Sequence, residues 1–311
     1  MYSITTNNLT YRFNGKETVL SDINLQVPTG SIYGFLGPNG AGKTTTLRLI
    51  LGLLKKQDGE INIFNQPFEK NRIDILRKTG SLIESPSLYA HLSAKENLAI
   101  LQKVYQCKPS RIEEVLKIVG LENTGKKSTG KFSLGMKQRL SIAIALMHEP
   151  ELLILDEPTN GLDPNGIIEM RELLKQLNKD LGMTILVSSH LLAEIEKMVT
   201  HVGIINKGKL IFQGTMGELH EAQHQQSFMC FETGNVEKSK EVLKTNGIQF
   251  QQEGSQLHMP VLERELIASI NKQLVEQDIK VYQISIVKND LLCSLDLKSH
   301  DLESIFIDLV K

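Results

Sequence analysis

The chain has 311 residues, a formal net charge of −1 and 41% hydrophobic residues, enough for one large domain and a small one. This near-neutral charge indicates no basic surface for nucleic acid, so we expect no nucleic-acid partner. No apolar run approaches the roughly 18 residues of a membrane span, and the start, MYSITTNNLTYRF, contains no signal peptide. The cysteines Cys107, Cys230 and Cys293 have no metal-binding spacing, which indicates reduced thiols in a cytoplasmic protein.

The first two-thirds of the chain alternates short apolar runs with amphipathic segments. The pattern is carried by strand-like and helix-like segments at 31–37, 44–54, 151–158, 167–182 and 183–190. Their order predicts the α/β fold class, with a parallel sheet and helices on its faces. Residues from about 85 to 148 have mostly helical spacing and predict a helical subdomain inserted into this core.

The pattern changes near residue 216, so we expect a first domain over 1–216 and a second over 217–311. After the polar stretch HEAQHQQ, the segments follow the order β-α-β-β-α-β, which predicts a small ferredoxin-like α+β accessory domain. A further strand-like segment, LLCSLDL, occupies 291–297, and the chain ends with DLESIFIDLV at 301–310 before its last residue.

A phosphate-binding loop lies between the first strand and the first helix of the predicted α/β core. GPNGAGKT fits the pattern G-x-x-x-x-G-K-[ST] without deviation, and its residues are Gly37, Pro38, Asn39, Gly40, Ala41, Gly42, Lys43 and Thr44. Its glycines let backbone N–H groups converge on phosphate oxygens at a helix N-terminus. Lys43 can reach the β- and γ-phosphates, Thr44 can offer its hydroxyl to Mg²⁺, and Thr45 can donate to the α-phosphate. The Lys-Thr pair disfavours the alternative of a simple glycine-rich turn.

An acidic pair follows the apolar strand LLIL. Asp156 stands where the strand ends, at the edge where ligands of α/β sheets lie, and it is suited to hold Mg²⁺. Glu157 can orient or deprotonate an attacking water. The alternative is that the pair only caps a turn. His190 ends the strand-like run 183–190 and can hydrogen-bond a γ-phosphate, whereas a lone histidine there can also be structural.

Taken together, these motifs resemble the nucleotide-binding subunit of an ATP-binding cassette (ABC) transporter over roughly residues 1–220. The family's other motifs occur in its order, with a signature region at 132–136 and a D-loop, NGLD, that ends at Asp163. In this family His190 is the switch histidine. The resemblance implies a P-loop NTPase fold and an ATPase that uses ATP and Mg²⁺ to drive transport.

The resemblance also implies a dimer of this chain, in which each ATP lies between the phosphate loop of one copy and the signature of the other. It further implies a separate transmembrane permease that holds the chain at the inner face of the membrane. Phe13 falls where the family places an aromatic ring on adenine; a buried core phenylalanine is the alternative. The alternative function is a non-transport ABC ATPase that acts on ribosomes or nucleic acid.

The signature departs from the family's common LSGGQ. Here Phe132 is followed by Ser133, Leu134, Gly135 and Met136. Ser133 is a good helix N-cap and can donate to a γ-phosphate oxygen, and Gly135 lets the backbone approach an anion. Leu134 and Met136 alter positions that we expect to face away from ATP.

Glu84, in SLIESP, stands where most members of the family carry glutamine. That loop binds the metal and attacking-water region and contacts the permease, and a carboxylate can ligate Mg²⁺ as well. The alternative is a glutamate that faces solvent. Glu84 and the SLGM-type signature together resemble the branch of peptide-antibiotic resistance and lantibiotic immunity exporters, including bacitracin-resistance transporters. This branch predicts a peptide antibiotic as the substrate.

Overall fold

The structure is a computed structural model that describes residues 1–13, 17–83, 88–225 and 227–288. These residues form two compact units, Met1–Met216 and a second that begins at Gly217. Three predicted features lie outside them: Glu84, the strand-like segment 291–297 and the segment 301–310. None of the helices in the described ranges is long and apolar enough to cross a membrane.

The first unit mixes strands and helices. Its strands are β1 (Tyr2–Phe13), β2 (Glu17–Ile23), β3 (Gln26–Pro28), β4 (Ile32–Leu36), β5 (Asp58–Ile63), β6 (Gln66–Pro67), β7 (Thr79–Leu82), β8 (Leu152–Asp156), β9 (Thr184–Ser189), β10 (His201–Asn206) and β11 (Lys209–Thr215). Its helices are α1 (Lys43–Ile50), α2 (Phe68–Arg77), α3 (Ala94–Tyr105), α4 (Ser110–Ile118), α5 (Leu134–Ala145), α6 (Pro164–Leu181) and α7 (Leu192–Ile195).

The central sheet has six strands in the order β11-β10-β4-β9-β8-β7. All neighbours are parallel except the edge pair of β10 and β11. Strands β8 and β9 are buried along their whole length, which explains why each appears in the sequence as a continuous apolar run. The register pairs Leu36 with Ser189 and Ser188 with Asp156, so β4, β9 and β8 end at the same edge. The predicted α/β fold class is confirmed.

A second sheet, formed by β1, β2, β3, β5 and β6, is antiparallel and was not predicted from the sequence. Its order is β2-β1-β5-β6, and β3 also pairs with β1. Its inner side chains share one hydrophobic core with α1 and the central sheet, in which Leu20, Phe35, Leu47 and Ile154 are fully buried. This core fixes α1 and the loop before it against two sheets at once.

The helices α3, α4 and α5 lie between β7 and β8 in the chain and pack on one another. Helix α3 begins with a capping box, in which Ser93 and Glu96 each bond the other's backbone N–H group. These helices form the helical subdomain of the fold, and they carry α5 with the signature at its start.

The second unit is an antiparallel sheet with two helices packed against it. Its elements are β12 (Ser227–Thr233), α9 (Val236–Thr245), β13 (Gln251–Glu253), β14 (Gln256–Pro260), α10 (Arg264–Glu276) and β15 (Val281–Lys288), preceded by α8 (Met216–Gln225) at the boundary. The strand order is β13-β14-β12-β15. The chain order of these elements is β-α-β-β-α-β, and neighbouring strands are antiparallel. Phe231, Leu243, Leu257 and Ile270 are buried in its own core.

Candidate functional site

The loop between β4 and α1 has a backbone that only glycine adopts without strain at two positions. Gly40 has a φ of 81° and Gly42 a φ of 110°. A Cβ atom on Gly42 would also lie 2.5 Å from Leu20 Cδ2. Gly42 is the N-cap of α1, and no side chain caps this terminus. The first N–H groups of α1 therefore stay available to an anion.

Lys43 is buried beneath this loop, with 6% of the residue exposed. Its Nζ donates to the carbonyl of Gly37 at 2.6 Å and to that of Pro38 at 3.3 Å. The same Nζ lies 3.2 Å from Oε1 of Glu157. Lys43 thus connects the loop that follows β4 to the acidic residues that follow β8, and its buried charge is compensated by a carboxylate and two carbonyls.

Asp156 receives hydrogen bonds on both carboxylate oxygens. Thr44 Oγ1 donates to Oδ2 at 2.7 Å, and Ser188 Oγ donates to Oδ1 at 2.6 Å. Carboxylate and hydroxyl oxygens are the hard ligands that Mg²⁺ prefers, so the pair Thr44 and Asp156 fits this ion. Sequence reasoning predicted Thr44 and Asp156 but missed Ser188, because only the register of β8 and β9 brings it here.

Glu157 is held between two cationic or hydrogen-bonding side chains. His190 Nδ1 lies 2.7 Å from its Oε2, while Lys43 lies near its other oxygen. Its backbone N–H group donates to Ser188 Oγ at 3.0 Å. Glu157 has a φ of 49°, which is uncommon for a residue with a side chain and often marks a functional site. These contacts place Lys43, Glu157 and His190 together at one edge of the sheet.

A second connection joins the segments that follow β8 and β9. Thr159 Oγ1 donates to Glu194 Oε2 at 2.6 Å, and Thr159 is 2% exposed. Glu194 belongs to α7, which begins shortly after His190. This bond fixes the segment that carries His190 relative to the segment that carries Glu157. The sequence contained no signal for this pair, since 35 residues separate the two side chains.

These residues surround a cleft of about 490 Å³. The cleft is lined by Phe13, Glu17, Val19, Asn39, Gly40, Gly42, Lys43, Thr44, Thr45, Glu157, Asn160 and His190. Phe13 is 41% exposed, and its ring packs edge-to-face on Tyr11 with 5.2 Å between centroids. The alternative of a buried core phenylalanine is therefore wrong, because the ring stands at the cleft with one side uncovered.

The signature residues lie elsewhere on the first unit. Ser133 is the N-cap of α5, and its Oγ accepts a hydrogen bond from the Met136 N–H group at 3.3 Å. Ser133 and Leu134 are exposed, and among the described residues that line the cleft none belongs to 133–136. A Cβ atom on Gly161 would lie 3.0 Å from Leu134 Cδ2, so the signature adjoins the D-loop of its own chain.

The D-loop ends at Asp163, which is the N-cap of α6. Its Oδ1 accepts a hydrogen bond from the Gly166 N–H group at 3.1 Å, and Pro164 occupies the first helical position. The structure therefore brings the phosphate loop, Asp156, Glu157 and His190 together, whereas the signature and Asp163 are not among the described residues that line the cleft. Glu84 is outside the described residues, so its predicted place at the metal has no structural account.

Comparisons with known proteins agree with these motifs. A family model described as ABC transporter matches residues 20–160. The chain is 45% identical over 294 residues to the bacitracin transport ATP-binding protein BcrA of Bacillus licheniformis, covering 93% of this chain and 94% of that protein. It is 48% identical over 199 residues to the lantibiotic transport ATP-binding protein SrtF of Streptococcus pyogenes, covering 64% of this chain and 85% of that protein.

Solved structures show the same likeness. The structure of cbiO1 from Clostridium perfringens, part of the ABC transporter complex cbiONQ, has a TM-score of 0.66 and 31% sequence identity. The match covers 71% of this chain and 91% of cbiO1. The share of this chain that is covered is close to the size of the first unit alone.

Proposed function

Since the chain belongs to the family of ABC transporter ATP-binding proteins, whose members hydrolyse ATP to drive transport, we propose that it powers an exporter of peptide antibiotics. The chain binds ATP and acts with a membrane permease, as ATP-binding subunits of this family do. The observation that carries the proposal is the convergence of Lys43, Glu157 and His190 on one cleft at the ends of β4, β8 and β9.

ATP binding is assigned to the phosphate loop and to its two flanks. Backbone N–H groups within residues 39–44 and the ammonium of Lys43 bind the β- and γ-phosphates, and Thr45 donates to the α-phosphate. To do so, Lys43 exchanges its bonds to the Gly37 and Pro38 carbonyls for bonds to phosphate oxygens. Phe13 stacks on the adenine, because its ring lines the same cleft and is exposed on one side.

Hydrolysis is assigned to the acidic residues after β8. Glu157 accepts the proton of the attacking water, and His190 orients the Glu157 carboxylate and contacts the γ-phosphate. When bound, Mg²⁺ neutralises charge on the phosphates, and Thr44, Asp156 and Glu84 would hold it. Binding of phosphate by Lys43 also withdraws the ammonium from Glu157, which leaves that carboxylate with His190 and a water.

The active form is proposed to be a homodimer at the inner face of the membrane, attached through the permease. Ser133 and Gly135 at the start of α5 contact the γ-phosphate held by the second copy, with Leu134 and Met136 beside them. This arrangement is supported by the exposure of Ser133, which is not among the residues that line the cleft of its own chain. Asp163 is assigned to the contact between the two copies.

The substrate class is proposed from the relatives. BcrA is a bacitracin transport protein and SrtF a lantibiotic transport protein, and both are more than 40% identical to this chain. Nothing among the described residues favours the alternative of an ATPase directed to ribosomes or nucleic acid.

The ATPase assignment is tested by comparing two lysines with similar surroundings. Lys56 Nζ donates to the Gly59 carbonyl at 2.6 Å and lies 3.1 Å from a carboxylate of Glu69, much as Lys43 does at the cleft. We expect Lys43→Ala to reduce ATP hydrolysis by the purified protein at least about 100-fold, because it removes a phosphate ligand. Lys56→Ala should leave hydrolysis unchanged. Equal activities of the two variants would refute the site.

The substrate class is tested in cells that express the chain with its permease. We expect the minimal inhibitory concentration of bacitracin or of a lantibiotic to rise, and Glu157→Gln to abolish the increase. Protection against neither peptide, together with co-purification of the chain with ribosomes, would reverse the ranking of the two functions.

A further inference from the structure

Ser188 stands between the two acidic residues of the site without being a nucleotide ligand itself. It is fully buried in β9, and the sheet register pairs it with Asp156 of β8. Its hydroxyl donates to Asp156 Oδ1 at 2.6 Å and accepts the Glu157 N–H group at 3.0 Å. The hydroxyl therefore donates its only proton to one residue and accepts a hydrogen bond from the next residue, both at the end of the neighbouring strand.

We propose that Ser188 is a positioning residue for ATP hydrolysis, which sets the Asp156 carboxylate and the Glu157 backbone together. This role rests on the proposed function of the site. It is distinct from the assignments of Thr44, Asp156 and Glu157, because Ser188 acts on the nucleotide only through them.

Ser188 first fixes the orientation of the Asp156 carboxylate. The terminal torsion of an aspartate has broad, roughly two-fold minima, so a carboxylate held by one bond alone can rotate. Here Ser188 fixes Oδ1, and this leaves Oδ2 directed at Thr44. The bonds are charge-assisted and largely screened from water, since Asp156 is 8% exposed. Without Ser188, the Asp156 carboxylate would be held by Thr44 alone, and its plane could rotate.

Ser188 also holds the backbone of Glu157. Its φ of 49° is a conformation that persists only where several contacts require it. The N–H bond to Ser188 is one such contact, and the bond from the Asn160 N–H group to the Glu157 carbonyl, at 3.1 Å, is another. This conformation directs the Glu157 side chain toward Lys43 and His190.

The neighbouring serine shows that a buried hydroxyl at this strand end does not always bond the acidic residues. Ser189 is also fully buried, but its Oγ bonds the backbone of Leu191, donating to the carbonyl at 3.1 Å and accepting from the N–H group at 3.0 Å. Ser189 therefore shapes the turn at His190. Ser188 is the hydroxyl that connects β9 to the acidic pair.

The test uses Ser188→Ala, with Ser31→Ala as a matched control. Ser31 is 5% exposed, precedes β4 at the opposite edge of the sheet, and its Oγ donates one bond, to the Pro28 carbonyl at 2.7 Å. We measure kcat, the KM for ATP, the Mg²⁺ concentration that gives half-maximal hydrolysis, and the binding of a fluorescent ATP analogue with and without Mg²⁺.

We expect Ser188→Ala to lower kcat by about 10- to 100-fold and to raise the half-saturating Mg²⁺ concentration about 10-fold. Mg²⁺ should increase the affinity for the analogue less than it does in the wild type, while the affinity without Mg²⁺ should stay at the wild-type level. Ser31→Ala should change none of these quantities. A merely structural role would instead lower the amount of active protein without shifting the Mg²⁺ dependence.

A second variant, Ser188→Cys, nearly keeps the side-chain volume but hydrogen-bonds weakly, so it covers the case in which Ser188→Ala does not fold. It should shift the Mg²⁺ dependence in the same direction. A folded Ser188 variant with wild-type kcat and wild-type Mg²⁺ dependence would overturn the positioning role alone. Wild-type protein without any Mg²⁺-dependent hydrolysis would instead overturn the proposed function.

Discussion

The first unit contains two helix N-termini that are assigned to the same phosphate group, and they are built in opposite ways. Helix α1 begins at Gly42, which has no capping side chain, and Lys43 is buried beneath it. Helix α5 begins at Ser133, whose side chain caps the helix and is exposed. The first terminus is bonded to the acidic residues at the end of β8, whereas the second contacts the D-loop of its own chain.

The two helix termini therefore differ in how each can take part in the proposed binding of ATP. At α1 the N–H groups are left for a ligand, and the surrounding side chains already compensate one another's charge, so one chain suffices to bind phosphate. At α5 the oxygen of Ser133 serves the helix, and its proton is the part that a phosphate can accept. Because Ser133 is not among the residues that line the cleft of its own chain, the proposed dimer would bring it to ATP from a second copy.

The largest expected effect comes from Glu157, which is in contact with the start of α1. Glu157→Gln keeps the shape of the side chain but removes the base, so we expect hydrolysis to fall about 1,000-fold while ATP binding persists. The trapped ATP should hold two copies together, which size-exclusion chromatography with and without ATP measures. Glu151→Gln, just before β8 and paired with Lys78 at 2.9 Å, is the control. A variant that stays monomeric with ATP would contradict the division of the site between two chains.

The next largest effect concerns α5. Ser133→Ala removes a phosphate donor, and we expect hydrolysis to fall about 100-fold with ATP binding by the single chain unchanged. Mixing Ser133→Ala with Lys43→Ala should restore part of the activity, because one of the two clefts in the mixed dimer then has both an intact Lys43 and an intact Ser133.

The control for this mixture pairs Lys43→Ala with a chain that carries both changes, since no intact cleft can form there. If the first mixture is no more active than this control, the phosphate loop and the signature do not meet between chains.

The parts of this site that sequence could predict are those with local signals. The loop 37–44 lies between a short apolar strand and a helix, and β8 is an apolar run that ends at its acidic pair. Helix α3 lies within the segment from about 85 to 148 whose spacing is helical, and its capping box is a local signal within three residues of its start. Phe13 could not be decided from sequence, because an aromatic at a strand end can face a core or a cleft.

What sequence could not predict depends on register between distant segments. Ser188 and Asp156 are 32 residues apart, and no local pattern states that their strands are neighbours in that register. The antiparallel sheet was missed for the same reason, since β1 pairs with β2, β3 and β5 at once. A serine in an apolar strand suggests a buried hydrogen bond, but only the fold shows which residue is bonded to it.

A stability experiment compares a glycine at each helix start. At Gly42 an added Cβ meets Leu20 at 2.5 Å and the φ is 110°, so Gly42→Ala should lower the free energy of unfolding by about 1–3 kcal/mol. At Gly135 the nearest atom to an added Cβ is Leu162 Cδ2, at the ordinary distance of 3.8 Å. Gly135→Ala should therefore be neutral or stabilising by up to about 1 kcal/mol, since alanine favours the helix. Urea unfolding curves measure both, and equal destabilisation would contradict the contrast.

The smallest expected effect lies just beyond the other end of α5, at His148. Burial lowers the pKa of His148, while its contact with the Thr79 carbonyl, 3.1 Å from Nε2, partly raises it. The folded state therefore binds fewer protons than the unfolded state near the ordinary histidine pKa of about 6.5. The stability from neutral His148 is complete above that pH and is lost as the pH falls through the lower folded pKa.

His148→Gln can keep the donor to Thr79 but does not titrate, so we expect its stability to fall less on acidification than that of the wild type. Urea unfolding at about pH 7.5 and about pH 5.5 measures the difference between the two proteins. The ring of His148 also stacks on Tyr105, with 4.7 Å between centroids. The substitution removes this contact at both pH values, so its effect cancels in the difference between them. Parallel stability curves for the two proteins would show that folding does not lower the pKa of His148, so that its protonation beyond the end of α5 has no cost.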